Sequence, residues 1–394
     1  MTSSKDLSIF FQPVADEILN ALVDGKNTLQ SIVSIHTLGN FPNIEGADIA
    51  IMGVLDDRGA VDNEGCAGAP NQIREQLYKL YSHSKKIKIV DLGNINKGET
   101  TTDTHFAVSS AVSQLLRSNI IPVILGGGQD ITYANYSAYE KLEKTVNIVT
   151  VDPTFDLGEF QSKISSKTYL SKIILHQPNY LFNYSNIGYQ TYYVDPYTLE
   201  LMNKLFFDVY RVGMVNQDIK ETEPIVRNAD ILSIDISAVK KSDAPGNSSN
   251  GPNGLSGEDI CQICRYAGMS DKLTSFGIYE LNPYFDRMNQ TAALAAQMIW
   301  CFIDGFYQRK KDFPFADQND YIKYRVSIKN IKDELIFFKS KKTDRWWMDI
   351  PFASDVRNKF ERHHIVPCSY NDYQTACKEE MPDKWWQNFQ KLSL

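Results

Sequence analysis

Short, nearly unbroken runs of Ile, Val and Leu alternate along the chain with longer stretches whose apolar residues recur at helical spacing. A strand buried on both faces needs apolar side chains at every position, so such runs indicate a parallel sheet covered by helices on both sides. The runs predict strands at 48–55, 87–91, 121–125, 146–152, 186–189, 209–214, 231–236 and 275–281. The stretches between them predict helices at 69–81, 106–118, 133–142, 198–205, 223–228, 256–267 and 290–306. We therefore predict a three-layer α/β/α fold around a mainly parallel sheet of about eight strands.

Two segments lie outside this alternation. Residues 18–38 have the pattern of a helical segment before the first strand, with breaks at Gly25 and Gly39. A charged run at 308–312 precedes a segment rich in Lys, Asp and aromatic residues. We predict an N-terminal helical extension over 1–44, an α/β domain over 45–308 and a C-terminal extension over 309–394.

The C-terminal extension concentrates tryptophan in two similar pieces, which contain Trp346, Trp347, Trp385 and Trp386. Tryptophan is a common anchor at protein interfaces, and it also dominates packing inside a chain's own core. The pattern therefore favours either binding of a protein partner or packing of the extension onto its own domain.

Composition and charge narrow the class of protein. With 43% hydrophobic and 23% charged residues the chain is typical of a globular protein with a large core. A net charge of -7 argues against a nucleic-acid partner, which needs a basic face. No apolar run approaches the ~20 residues that span a bilayer, and the N-terminal apolar run is too short for a secretory signal.

The six cysteines show no disulfide pattern, which favours a reducing, cytoplasmic location. Cys261 and Cys264 form a C-x-x-C pair, but no second pair follows at zinc spacing. We expect both thiols to be small buried side chains.

Acidic residues stand at the ends of several predicted strands, where open parallel sheets bind their ligands. Asp152, Asp235 and Glu280 each end a run, Asp156 follows shortly after Asp152, and 126–130 reads Gly-Gly-Gly-Gln-Asp. A single Asp in such a place more often caps a turn, but a converging set needs a cation, a proton or hydrogen-bond donors to neutralise it. The set predicts a candidate site for a hard metal ion.

These motifs together resemble the arginase, agmatinase and formimidoylglutamase family, the ureohydrolases. Residues 125–130 are similar to the family's Gly-Gly-x-His motif, and 151–157 to its Asp-x-His-x-Asp motif. Residues 233–237, with Ala-Pro-Gly at 244–246, are similar to Ser-x-Asp-x-Asp. The resemblance covers about residues 45–308, and the joint match is far more specific than each motif alone.

The resemblance implies an arginase-like fold, a pair of manganese ions that activates water, and self-association into homo-oligomers. The run Ser-Ser-Lys-Thr at 165–168 favours the formimidoylglutamase branch. Glu280 falls on the family's guanidinium-binding carboxylate, which implies that a small cationic or amidine ligand can bind.

The metal-binding positions of the family are only partly kept. Its two histidines fall on Gln129 and Thr154, and one of its carboxylates falls on Ser237. The remaining ligand positions are Asp152, Asp156 and Asp235. Three carboxylates with the Gln129 amide suit one Mg²⁺ or Ca²⁺ ion better than a manganese pair, and one hard ion acidifies water less.

Other family features are also changed. The family's opening-loop arginine falls on Cys66, and the Asp-Pro pair before Ala-Pro-Gly reads Lys240-Lys241. These lysines are candidates to neutralise the carboxylates in place of a metal. No histidine lies at a predicted strand end near the cluster, and we expect His105 to be a surface or capping residue.

The departures predict a catalytically degenerate ureohydrolase-like protein that serves as a binding, scaffold or regulatory component of a protein assembly and holds no cofactor. The alternative is a metal-dependent hydrolase of a linear amidine or guanidine, such as formiminoglutamate, agmatine or arginine, with one Mg²⁺, Ca²⁺ or Mn²⁺ ion. A third possibility is a sensor that binds amidines without turnover.

Overall fold

The structure is a computed structural model that describes residues 7–20, 26–83, 86–159, 162–314, 318–329, 334–351 and 363–393. Its main sheet contains, in chain order, β1 (Phe11–Gln12), β2 (Ser34–Ile35), β3 (Ile49–Val54), β4 (Ile89–Ile95), β5 (Ile121–Leu125), β6 (Val146–Val151), β7 (Leu181–Tyr189), β8 (Asp208–Arg211), β9 (Ile231–Asp235) and β10 (Ser275–Tyr279). The helices around it are α1 (Asp16–Asn20), α2 (Leu29–Ile32), α3 (Ala69–Leu77), α4 (Thr101–Arg117), α5 (Ile131–Glu140), α6 (Tyr169–Leu175), α7 (Pro196–Lys204), α8 (Val212–Gln217), α9 (Thr222–Arg227), α10 (Gly257–Met269) and α11 (Gln290–Tyr307).

The strands of the main sheet lie in the order β1-β4-β3-β5-β10-β9-β6-β7-β8, and β2 pairs with β4. The β1–β4 pair is antiparallel, whereas β3 to β10 pair in parallel. Each strand predicted from an apolar run is present. The central order β5-β10-β9-β6 places the carboxyl ends of these four strands side by side.

Side chains of one strand alternate between two apolar cores, one on each face of the sheet. In β3, Ile49 and Ile51 pack into one core and Ala50 and Met52 into the other, and all are buried. The first core contains α3, α10 and α11, and the second contains α4, α5 and α6. Helices thus cover both faces, which confirms the predicted three-layer α/β/α fold and explains why its strands are continuously apolar.

The N-terminal prediction was wrong in part. In the described part of 18–38, α1 ends at Asn20, α2 covers Leu29–Ile32, and Ser34–Ile35 pairs with β4 as a strand, whereas the predicted break at Gly25 lies outside the described residues. The earlier Phe11–Gln12 also pairs with β4. The predicted strand 209–214 ends at Arg211, where α8 begins. Short apolar runs have the same periodicity in either structure, so their type depends on tertiary contacts.

After the main sheet the chain forms a second, antiparallel sheet with strands in the order β11 (Tyr321–Val326), β12 (Leu335–Ser340), β13 (Trp346–Asp349) and β14 (Ile365–Cys368). Helices α12 (Tyr370–Cys377) and α13 (Asp383–Ser393) follow it. We call residues 321–393 the C-terminal unit. Trp346, Trp347 and Trp385 are at most 8% exposed within it, whereas Trp386 is 48% exposed. Binding of a partner through these tryptophans stays a prediction, and Trp386 is the one that solvent reaches.

The C-terminal unit contacts the main sheet at the amino ends of its strands. His363 stacks on Phe182 at the start of β7, with ring centroids 3.9 Å apart, and hydrogen-bonds Thr145 just before β6 at 3.0 Å. The Arg227 guanidinium lies 4.3 Å from the Trp347 ring. The unit therefore lies at the opposite edge from the carboxyl ends, so His363 does not approach the carboxylates there.

Replacement of Arg227 by leucine is expected to lower the free energy of unfolding by about 1–3 kcal/mol, because it removes a buried cation–π contact and hydrogen bonds. Arg227 is 4% exposed and donates to the Trp346 carbonyl at 3.1 Å. Urea unfolding measures the change. Arg325→Leu is the matched control, because Arg325 forms an exposed pair with Glu334 and should change stability by less than about 0.5 kcal/mol. Equal losses in both variants would contradict this account of the contact.

Within the described residues, no helix combines the length and apolar character needed to cross a membrane.

Candidate carboxylate site

Four neighbouring strands each contribute a polar residue at the carboxyl edge of the main sheet. Asp152 directly follows β6, Asp235 ends β9, Glu280 directly follows β10, and Gln129 lies in the loop after β5. In the register of the sheet Asp235 is the partner of Tyr279, so Glu280 follows at the same level. The order of the strands therefore brings together residues that are far apart in the sequence.

Asp152, Asp156 and Asp235 form what we call the carboxylate triad. Oxygen atoms from the three side chains lie within 4.8 Å of one another, and all three residues are buried. In the described part of the chain, no other group of three or more His, Cys, Asp or Glu side chains is this close. Burial, and then the charges of Asp156 and Asp235, raise the pKa of Asp152 well above its usual value. The triad therefore needs neutralisation by a cation or a proton.

Thr154 and Ser237, for which the sequence resemblance implies lost metal ligands, donate hydrogen bonds to the triad. The Thr154 hydroxyl lies 3.1 Å from Asp152 Oδ1 and 2.9 Å from Asp156 Oδ1. The Ser237 backbone N–H donates to Asp235 Oδ1 at 2.7 Å. A hydroxyl has only one proton to donate, and it lacks the nitrogen lone pair through which a histidine binds a metal ion.

Lys167 supplies a positive charge to the triad. Its Nζ lies 3.4 Å from Asp156 Oδ1, and Asp156 raises the pKa of the ammonium above its usual value. The loop that carries Lys167 is held by a hydrogen bond from Ser166 N to the Gly59 carbonyl at 2.8 Å. This ammonium is a cation within the protein that partly neutralises the carboxylates.

The expectation that Lys240 and Lys241 neutralise the carboxylates was wrong for Lys240. Its Nζ instead pairs with Asp243, at 3.5 Å, near the protein surface. The chain turns away from the sheet edge after Ser237, and the Lys240 backbone N–H bonds to the Leu255 carbonyl at 3.0 Å. Lys241 is exposed.

Glu280 is buried and held in one orientation. Asn63 Nδ2 donates to its Oε2 at 2.7 Å, and the Gln129 backbone N–H donates to its Oε1 at 2.9 Å. Its φ of 65° is a strained conformation for a residue with a side chain, of the kind that surrounding contacts must hold in place. Burial, and then the charge of Asp235, raise the pKa of Glu280 to about 8. Asn247, which donates to the Glu280 carbonyl at 2.8 Å, carried no sequence signal for this role.

Several buried acceptor atoms of the site have no hydrogen-bond partner among the described residues, namely Asp152 Oδ2, Asp156 Oδ2 and Gln129 Oε1. Buried polar atoms nearly always have a partner. Acceptor oxygens without a hydrogen-bond donor therefore suit a bound cation, which interacts with their lone pairs. Carboxylate and amide oxygens fit one hard divalent cation. If Gln129 and Thr154 replace the family's two histidines, as the sequence resemblance implies, the remaining oxygens offer fewer ligands than a manganese pair needs.

His105 is not the surface or capping residue that the sequence predicted. It is 8% exposed, and its Nε2 lies 2.7 Å from Asp130 Oδ2, next to Gln129. The prediction failed because α4 begins earlier than predicted, with a capping box between Thr100 and Asp103, which turns His105 inward.

The comparisons with known proteins agree with this architecture. The model of the Arginase family matches residues 47–304. Formimidoylglutamase of Streptococcus gordonii is 28% identical over 286 residues, which cover 66% of this chain and 85% of the relative. Formimidoylglutamase of Geobacillus sp. is 26% identical over 277 residues, which also cover 66% of this chain and 85% of the relative.

Solved structures share the fold. Formiminoglutamase of Trypanosoma cruzi with Mn²⁺ superposes with a TM-score of 0.63 at 22% identity, covering 68% of this chain and 96% of that one. Formimidoylglutamase of Bacillus subtilis gives 0.65 at 20% identity, with 73% and 95% covered. Agmatine ureohydrolase of Thermoplasma volcanium gives 0.59 at 21% identity, with 75% and 98% covered. Since the family model matches most of the chain and includes the whole carboxyl edge, this protein belongs to the arginase family.

Proposed function

We propose that this arginase-family protein acts on a linear amidine or guanidine as a hydrolase of the formimidoylglutamase type. The observation that carries the proposal is the buried acceptor set beside Glu280, in which Asp152 Oδ2, Asp156 Oδ2 and Gln129 Oε1 lack donors within the described chain. The formimidoylglutamase relatives support the substrate class.

Glu280 is the proposed recognition group for the amidine. A planar amidinium presents parallel N–H donors, which match the two oxygens of a carboxylate. The positive charge of the ligand opposes the burial that raises the pKa of Glu280, so it favours the ionised form. Asn63 and the Gln129 backbone each donate to one Glu280 oxygen, and each oxygen keeps a further lone pair for a ligand. Because these donors fix the carboxylate beforehand, little conformational entropy is lost when a ligand binds.

The triad is the proposed place of one divalent cation, held by Asp152, Asp156 and Asp235 with the Gln129 amide oxygen. When bound, such an ion supplies Lewis acidity for attack of water on the amidine carbon. Thr154 and Ser237 keep the carboxylates oriented through their hydrogen bonds. Lys167 competes with the ion, because its ammonium contacts Asp156.

A second candidate function is binding of an amidine without hydrolysis, as a sensor or as a component of a protein assembly. It is favoured by the Lys167–Asp156 contact of 3.4 Å, since an ammonium neutralises the triad but does not activate water. In this case Glu280 still recognises the ligand. The ligand is not hydrolysed, because the site lacks the histidine ligands of the family.

One experiment distinguishes the two candidate functions. The full chain is incubated with formiminoglutamate, agmatine or arginine, each with and without Mg²⁺ or Mn²⁺, and formamide or urea is measured beside the thermal unfolding temperature. Cation-dependent product supports the hydrolase. Stabilisation by ligand without product supports the binding protein. If none of the three compounds gives product or raises the unfolding temperature, both candidate functions are wrong.

Replacement of Glu280 by glutamine is expected to weaken binding of the amidine by about 10- to 100-fold, because a hydrogen bond to a charged group contributes roughly 1.5–3 kcal/mol. The measurement is ligand-induced thermal stabilisation. Glu200→Gln, on the exposed face of α7, is the control and should bind like the unchanged chain. Equal binding by both variants would exclude Glu280 as the recognition group.

A further inference from the structure

A cavity of about 1010 Å³ lies beside helices α10 and α11, and two of the cysteines line it. Cys261 comes from α10 and Cys301 from α11, with Glu258, Gln297 and Trp300 around them. No residue of the carboxylate triad lines this cavity. It is therefore a separate space that the proposed hydrolysis does not use.

The two helices cross at unusually close range because glycines face each other at the crossing. A Cβ atom on Gly268 would lie 2.1 Å from the Phe302 carbonyl oxygen, and one on Gly305 would lie 2.2 Å from the Arg265 carbonyl oxygen. Residues with side chains at these positions would push the helices apart. Cys261 and Cys301 lie on these two closely packed helices, on the N-terminal side of the glycines, and line the same cavity.

A hydrogen bond between the Cys261 and Cys301 side chains lowers the pKa of Cys301 and raises that of Cys261. The charged groups that act on Cys301 are Asp304, which raises its pKa, and Arg265, which lowers it. Both thiols are partly exposed. Cys264, one turn further along α10, is fully buried, and burial raises its pKa, so it is the less reactive thiol. The expectation that Cys261 and Cys264 are both buried holds for Cys264 and was wrong for Cys261.

We propose that Cys261 and Cys301 are an oxidisable dithiol, which a peroxide entering the cavity converts into an intramolecular disulfide between α10 and α11. The Cys301 sulfur attacks one peroxide oxygen, the O–O bond breaks, and Cys301 sulfenic acid and water form. The Cys261 sulfur then displaces the hydroxyl group, which leaves as a second water with the Cys261 proton. In sum, two thiols are oxidised to one disulfide, and one hydrogen peroxide is reduced to two water molecules.

The test is peptide mapping of the full chain after oxidation. The reduced protein is treated with one equivalent of hydrogen peroxide, free thiols are alkylated, and the protein is digested without a reductant for mass spectrometry. The expected product is a peptide pair joined through Cys261 and Cys301. Cys301→Ser should lose this pair completely, and Cys377→Ser, which removes an exposed thiol of α12, should keep it. A Cys261–Cys264 bond, or cross-links only between chains, would overturn the proposal.

A second measurement uses the unchanged chain, so that it does not depend on how the variants fold. Phenylarsine oxide binds tightly only where two thiols can reach one arsenic atom. We expect one equivalent to protect Cys261 and Cys301 together from alkylation by iodoacetamide, and to leave Cys377 reactive. Alkylation of Cys261 and Cys301 at the same rates with and without the arsenical would overturn the proposal.

Discussion

Replacement of Lys167 by methionine is expected to raise the affinity of the chain for Mg²⁺ by about 10- to 100-fold. The ammonium lies 3.4 Å from Asp156 Oδ1, so it repels a divalent ion that approaches the triad. Two unit charges at 4 Å interact by about 4 kcal/mol near a protein surface, and the partial exposure of Lys167 reduces this through solvent screening. Isothermal titration calorimetry with Mg²⁺, and then with Mn²⁺, measures the change.

The same substitution is expected to lower the unfolding temperature of the cation-free protein, because it leaves the three buried carboxylates without a positive neighbour. Added Mg²⁺ should restore the loss. Lys163→Met is the matched control, since Lys163 lies exposed in the same loop and should change the affinity by less than about twofold. If Lys167→Met binds Mg²⁺ no better than Lys163→Met, the ammonium does not compete for this position.

Restoration of the family's ligands in the Lys167→Met background is expected to give the site its second metal ion. The substitutions are Gln129→His, Thr154→His and Ser237→Asp. They supply two imidazoles and a carboxylate, which are direct ligands for a divalent transition-metal ion. We expect the manganese content to rise from at most one ion per chain to two, measured by elemental analysis after gel filtration.

Gln129→His alone is the control for this restoration, because it adds one imidazole and leaves the second position without its own ligands. It should not exceed one manganese ion per chain. If the fully restored chain also holds one ion or none, the identity of the ligands does not explain why the site holds fewer metal ions. The backbone of the site would then differ from that of the family.

The main sheet could be predicted because both of its faces are covered. Strands such as β3 and β9 have buried side chains at every position, so the apolar run in the sequence coincides with the strand. β1 and β2 could not be predicted in this way, because a strand of two residues is too short to show a period. The antiparallel sheet of the C-terminal unit could not be predicted from the apolar pattern either, since it depends on pairing between segments that are separate in the sequence.

The carboxylates of the site could be placed from the sequence because the ends of parallel strands meet at one edge. The side chains that form ion pairs and hydrogen bonds with these carboxylates could not be identified from the sequence. Lys167 reaches Asp156 from a loop, and Asn63 reaches Glu280 from the other end of the domain, 217 residues away in the sequence. Lys240 was the better candidate by proximity in the sequence to Asp235, but the turn after β9 directs it to Asp243. Such contacts depend on tertiary structure, which neither spacing nor residue type indicates.

We propose that the carboxyl edge holds at most one divalent cation, because Thr154, Ser237 and Lys167 surround the triad with hydrogen-bond donors and a positive charge. The most direct test is a crystal structure of the unchanged chain grown with excess Mn²⁺ and collected at the manganese absorption edge. We predict one anomalous peak or none between Asp152, Asp156 and Asp235. Two peaks bridged by solvent in this cleft would contradict the claim.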